Sequence, residues 1–311
     1  MLIPVIMIII GAGILVKGAD LLVDGGVGIA LKSGVSHLVV GLTVVAFGTS
    51  APELTASVIA AFKGSGDICF GNVVGSNVAN IALILGVTAL IRPIDVNKVL
   101  VRWEIPFLIV ISAVIYIIGL LRHSGLIAGL ILMALFVWYM VHCFKSPAAE
   151  VEVEDKAAQK SYVFLCTLVV LGVGGLVLGG YLFVENARAI ASMLGISEAV
   201  IGLTVVALGT SLPELATSVV AAVKGHSDIS LGNVIGSNIF NILFVLGTTS
   251  VILPFSISPD RFLSVAGLPF MMGLAIILLP FALTRLTISR IEGGILSAIY
   301  CVYTLLAVFV R

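Results

Sequence analysis

Apolar residues run through this chain in long unbroken blocks, without the two-residue rhythm of a half-buried strand. Ten blocks can be drawn, at 2–31, 36–62, 68–91, 103–121, 124–144, 161–192, 197–223, 229–253, 262–284 and 291–310. A helix needs about 20 apolar residues to cross the hydrocarbon core, and each block is near or above that length. Continuous runs exclude a transmembrane β-barrel, whose strands alternate. The pattern therefore predicts an all-α integral membrane protein with ten transmembrane helices. The first block starts at Leu2 with no basic leader or small-residue cleavage site, so it reads as a span and not as a signal peptide.

Two blocks are interrupted by the same polar phrase, GTSAPEL at 48–54 and GTSLPEL at 209–215. Shifting the chain by 161 residues aligns 36–81 with 197–242, and 30 of those 46 positions are identical. That is a duplication. Five spans per half is an odd number, so the second half must lie upside down relative to the first. The predicted organisation is a first inverted repeat at 1–144, a linker at 145–160, and a second inverted repeat at 161–311. Inverted repeats are an architecture of secondary transporters, which hold substrate near the midplane where the halves meet.

Composition agrees with a membrane protein: 60% of residues are hydrophobic and 10% charged, with a mean hydropathy of +1.26. The formal net charge is zero, which gives no case for a nucleic-acid partner. Cys69, Cys143, Cys166 and Cys301 stand singly, without metal-ligand spacing, and read as packing residues. The acidic run in the linker reads as a solvated connector. With the N-terminus outside, ten Lys and Arg residues fall in inner loops and five on the outer side. That bias predicts both termini outside, a cytoplasmic linker and residence in the cell membrane. A monomer is compatible with the pattern.

The chemistry lies in the interruptions. Even on lenient scales a carboxylate at a helix centre costs about 2.5–3.5 kcal/mol, and this chain carries one at matching positions of both repeats, Glu53 and Glu214. Thr49 and Ser50 lie four and three residues before Glu53, on the same helical face; Thr210 and Ser211 repeat the spacing. Pro52 and Pro213 remove an N–H and loosen the turn, freeing carbonyls near Gly48, Thr49, Gly209 and Thr210. Carboxylate, hydroxyl and carbonyl oxygens suit a hard cation, and no histidine lies in these motifs. Kinking and packing alone would explain the prolines and glycines but not two matched glutamates.

A second repeated phrase, GNVVGSNVANI and GNVIGSNIFNI, carries GxxxG pairs suited to close helix packing. Ser76 with Asn80, and Ser237 with Asn241, add polar oxygens four residues apart and are favoured as further ligands. Asn72, Asn77, Asn233 and Asn238 divide evenly between ligands and interhelical hydrogen bonding. Asp67 and Asp228 are expected to cap helices. Lys17 and Asp20 are spaced to neutralise each other, and Asp24 and Glu185 read equally as interfacial anchors or as a cation antechamber.

The duplicated GTS-x-PE and GN-x-x-GSN-x-x-N phrases resemble the cation/Ca2+ exchanger superfamily, in particular its prokaryotic Na+/Ca2+ exchanger type, over essentially the whole chain. The resemblance implies an antiporter that exchanges Ca2+ for Na+ by alternating access, with those ions as partners and no cofactor. It implies that Glu53 and Glu214 bind Ca2+ and share in binding Na+, with backbone oxygens of Thr49 and Thr210 completing the calcium site. Ser50, Ser211, Ser76, Ser237 and the carbonyls of Ala46 and Ala207 would build flanking sodium sites, and Asn80 and Asn241 would line the centre. It also implies that spans 1 and 6 slide across the rest. Some relatives carry aspartate at one of the two asparagine positions, whereas this chain has asparagine at both.

Three other readings compete. A Ca2+/H+ antiporter of the same fold would alternate the glutamates between calcium and protons. An intramembrane enzyme using Ser50 or Ser211 would need a neighbouring His or Lys, which the motifs lack, so no enzyme is expected. A passive channel would carry current with no counter-ion.

Overall fold

The computed structural model describes residues 2–145, 160–194, 207–257 and 263–309. In the first half these form α1 (Leu2–Ser33), α2 (His37–Thr49), α3 (Ala51–Phe62), α4 (Gly66–Ile91), β1 (Ile94–Asp95), α5 (Leu100–Leu121), β2 (His123–Ser124) and α6 (Leu126–Lys145). The second half forms α7 (Tyr162–Met193), α8 (Ala207–Thr210), α9 (Leu212–Val223), α10 (Ser227–Ile252), β3 (Phe255–Ser256), α11 (Leu268–Leu283), β4 (Thr287–Ile288) and α12 (Arg290–Phe309).

Among the described residues, seven helices are long and apolar enough to cross a membrane: α1, α4, α5, α6, α7, α10 and α12. The bent pair α2–α3, turned by 46° at its break, makes an eighth, and α9 and α11 are shorter apolar helices. The block expected at 197–223 is described only from residue 207, as α8 and α9, and the linker mostly lies outside the described residues.

Elements α3, α4 and β1 recur 161 residues later, residue for residue, as α9, α10 and β3. The short strands cross-link the halves, β1 pairing with β4 and β2 with β3, both antiparallel. Helix α5, about 33 Å long at 1.5 Å per residue, separates β1 from β2. Since α4 runs into β1 and α10 into β3, these matching helices end on opposite faces of the molecule.

Helices α4 and α10 form the centre; 94% of the apolar stretch of α10 is buried, against 22% for α6. Around them α1 and α7 lie against each other along their length. Lipid supplies no hydrophobic drive between helices, so close backbone packing must hold such a pair. A Cβ on Gly18 would stand 2.7 Å from the Leu176 nitrogen, which only glycine avoids. On α10, a Cβ on Gly236 would stand 2.7 Å from the Leu42 oxygen, so the GxxxG pair there brings α2 close.

Asp67 and Asp228 are not the capping residues. Ser65 and His226 occupy those positions, and each aspartate is the second residue of its helix. The helices begin two residues earlier than the apolar pattern suggests, which places both carboxylates in the favourable field of a helix N-terminus. Lys17 meets Asp20 at 2.6 Å, as the spacing suggests. Asp20 and Asp24 also pair with Lys224 at the end of α9, the latter at 2.6 Å. Asp24 is thus an ion-pair partner between α1 and α9. Glu185, its counterpart, makes no ion pair among the described residues.

Candidate cation site

Each GTS-x-PE phrase folds as the end of one helix and the start of the next. Helix α2 stops at Thr49, Ser50 takes φ −83° and ψ 7°, and α3 begins at Ala51. Helix α8 stops at Thr210, Ser211 takes φ −89° and ψ 1°, and α9 begins at Leu212. Pro52 and Pro213 lie in the first turn of the new helix, where a missing N–H costs nothing. The glutamates follow at the third position, facing the positive end of their own helix. Ser50 and Glu53 have the S-x-x-E spacing of a capping box. Yet the Ser50 side chain does not cap α3; its hydroxyl donates to Glu214 Oε1 of the other half at 3.1 Å.

Both carboxylates are closed off from the surface, Glu53 at 1% and Glu214 at 0% exposure. No Lys, Arg or His among the described residues pairs with either. Thr210 lies beside the Glu53 carboxyl without reaching good hydrogen-bond geometry, and both Glu53 oxygens and Glu214 Oε2 meet no donor. Ser211 Oγ and the side-chain amides of Asn80 and Asn241 are buried without partners as well. Each such group costs about 1–3 kcal/mol when left unmatched. A cation answers the oxygens, while the amide N–H groups of the asparagines want a carboxylate or a water carried with the ion.

Of the residues singled out from sequence, Thr49, Ser50, Glu214 and Ser237 are brought into one hydrogen-bonded set. Thr49 Oγ1 lies 3.3 Å from Ser237 Oγ. Asn80 lies in a wide π turn, Ala79–Leu85, packed on α9, and Asn241 opens the matching turn, Asn241–Val245, packed on α3. Such turns often mark functional positions. The turn that carries each asparagine therefore packs on the helix that carries the other half's glutamate. Ser76 is buried one turn before Asn80. The Ala46 carbonyl accepts the Ser50 N–H at 3.0 Å and lies 3.3 Å from the Thr49 hydroxyl oxygen. Ala207 begins α8, and its side chain lies outside the described residues.

A supporting ladder joins each glutamate helix to its neighbour. Asn72 Nδ2 donates to the Glu53 carbonyl at 3.2 Å and to Ser57 Oγ at 2.9 Å. Asn233 Nδ2 does the same to the Glu214 carbonyl at 3.3 Å and Ser218 Oγ at 3.0 Å. One turn away, Cys69 Sγ donates to the Ser57 carbonyl and Ser230 Oγ to that of Ser218. Cys69 thus has a hydrogen-bonding role beyond packing. Ser57 and Ser218 escape a motif reading, although their recurrence at the 161-residue shift marks them.

Comparison with known proteins bears on this arrangement. The sodium/calcium exchanger protein family profile matches residues 3–145 and 164–309. The chain is 37% identical to the putative antiporter CaxA of Alkalimonas amylolytica, across 97% of this chain and 98% of that protein. It is 33% identical to the sodium/calcium exchanger MaX1 of Methanosarcina acetivorans, across 98% of both. A solved structure of the sodium-calcium exchanger NCX_Mj, soaked with Na+ and Sr2+, superposes with a TM-score of 0.83 at 36% identity over 96% of each chain.

Proposed function

The chain belongs to the sodium/calcium exchanger family, and from that premise we propose that it exchanges Ca2+ for Na+ across the cell membrane through one shared site. The observation that carries this reading is the pair of buried glutamates from opposite halves, with no cationic side chain among the described residues to neutralise them. Two carboxylates balance one Ca2+, and the ring of hydroxyl and carbonyl oxygens around them also suits Na+. Glu53, Glu214, Thr49, Thr210, Ser50, Ser211, Asn80, Asn241, Ser76, Ser237, Ala46 and Ala207 form the proposed ligand set.

Alternating access fits ten helices in two inverted repeats, with both termini outside and the linker in the cytoplasm. The opposite-face endings of α4 and α10 support the inversion. So does the unlike state of the two halves: Ser50 reaches Glu214, whereas Ser211 and Glu53 make no such bond. Matching motifs in unlike arrangements are what an alternating carrier built from inverted repeats requires. Bare carboxylates in a dry site are costly, so the carrier should change sides only when loaded, which couples the two fluxes.

A Ca2+/H+ exchange reading draws on Glu53, because a buried carboxyl that meets no donor can carry a proton in place of a cation. In either reading Glu53→Gln and Glu214→Gln are each expected to reduce Ca2+ flux in proteoliposomes by at least about 100-fold, as a buried ligand charge is lost. Near-normal flux in both variants would sink the shared site.

A further inference from the structure

We propose that Asn72 and Asn233 are positioning residues of the cation site, and that Asn233 holds Thr49 of the opposite repeat in place by accepting its hydroxyl proton. This deepens the exchanger reading and rests on it. The amide orientation is fixed by its surroundings. The Glu214 carbonyl is an acceptor only, so the Asn233 Nδ2 must face it, and the same Nδ2 donates to Ser218 Oγ. That leaves Asn233 Oδ1 pointing the other way, where it accepts the Thr49 hydroxyl at 3.0 Å.

Thr49 has one proton to give. Ala46 O and Ser237 Oγ are both 3.3 Å away, and the Glu214 carboxylate lies beside the hydroxyl without reaching good hydrogen-bond geometry, so the amide oxygen at 3.0 Å is the best-placed acceptor. With that proton committed, the Thr49 side chain is tied to the opposite half, which fixes the turn at the end of α2 that carries its backbone oxygen. Asn233 thereby joins Glu214, on its own helix pair, to Thr49 of the opposite repeat, and both are proposed ligands. It is 0% exposed, so no solvent competes for these bonds.

Asn72 supplies an internal control. It holds the Glu53 carbonyl and Ser57 in the same way, yet makes no bond to Thr210 or Thr49. The two asparagines share the task of fixing a glutamate, and Asn233 alone reaches across the halves in this structure.

The test is a double-mutant cycle on the Ca2+ dissociation constant of the purified full-length protein, measured by calorimetry. Asn233→Ala and Thr49→Val are each expected to weaken Ca2+ binding about tenfold, the value of one lost buried hydrogen bond. The double variant should be no weaker than the weaker single, because both remove one interaction. Asn72→Ala with Thr49→Val should instead be multiplicative. Should Asn233→Ala fail to fold, Ser218→Ala, which frees the same amide, replaces it in the cycle with an expected loss of about threefold.

Binding within about twofold of the wild type, or a multiplicative Asn233–Thr49 pair, would overturn the proposal. Wild-type protein that binds Ca2+ but shows no Na+-driven uptake would refute the exchanger reading while the cycle still decides this one. Wild-type protein that binds no Ca2+ would overturn both.

Discussion

A carboxylate that recurs at matching positions of two apolar blocks is the most legible residue in the chain, because packing alone does not repay its desolvation twice. Glu53 and Glu214 stand out on that ground alone, and the hydroxyls at Thr49 and Ser50 follow from their shared helical face. Less could be read of the groups that hold them. A serine in a helix usually bonds the carbonyl one turn back, so Ser57 and Ser218 carry no mark of their tertiary partners. The reach of Ser50 to Glu214 across the halves was equally hidden, since the local S-x-x-E spacing points to a cap instead. Removing that donor in Ser50→Ala is expected to lower Ca2+ uptake about tenfold at sub-saturating Ca2+, the value of a hydrogen bond to a charged group. Ser50→Thr, which keeps the hydroxyl, should retain most of the activity in the same proteoliposome assay.

At the scale of elements, the prolines interrupt the span where the sequence placed the interruption. They do so by opening a new helix at the point where an N–H would go unused. The π turns at Asn80 and Asn241 have no local signature, because ordinary helix formers fill them; only packing against α9 and α3 shows their place. The close approach of α2 to α10 depends on Gly236, so Gly236→Leu should force the backbones apart. The expected loss is about 1–3 kcal/mol, read as a lower Tm in detergent. At the end of α9, burial opposes the Lys224 charge, yet bonds to Asp20 and Asp24 outweigh it and raise the ammonium above its ordinary pKa of 10.5. A raised folded pKa means the contribution is complete below the ordinary value and fades only as pH climbs through the raised one. Lys224→Ala should therefore cost no more than about 1 kcal/mol, because the pair is partly exposed. The Tm difference from wild type should stay flat from about pH 7 to pH 9 and shrink only in strong alkali.

At the scale of the whole molecule, duplication with an odd number of spans per half already implies an inverted pair, and the short strands supply a geometric counterpart. Pairing of β1 with β4 and β2 with β3 lay beyond the sequence, since two-residue strands leave no periodicity to read. Also hidden was the inequality of the halves. Thirty identities in 46 positions suggest equal contacts, whereas the structure joins Thr49 to Asn233 and leaves the mirror-related pair apart. Such an inequality is a property of a conformation and not of a sequence, and it bears directly on transport. The central claim is that Na+ drives Ca2+ through the shared glutamate site. Its most direct test is Ca2+ uptake into proteoliposomes preloaded with Na+ and diluted into Na+-free medium, compared with Na+-free vesicles under an imposed pH gradient. Uptake driven by the Na+ gradient and not by the pH gradient is the expected result; uptake driven by the pH gradient without Na+, with none from the Na+ gradient, would contradict it.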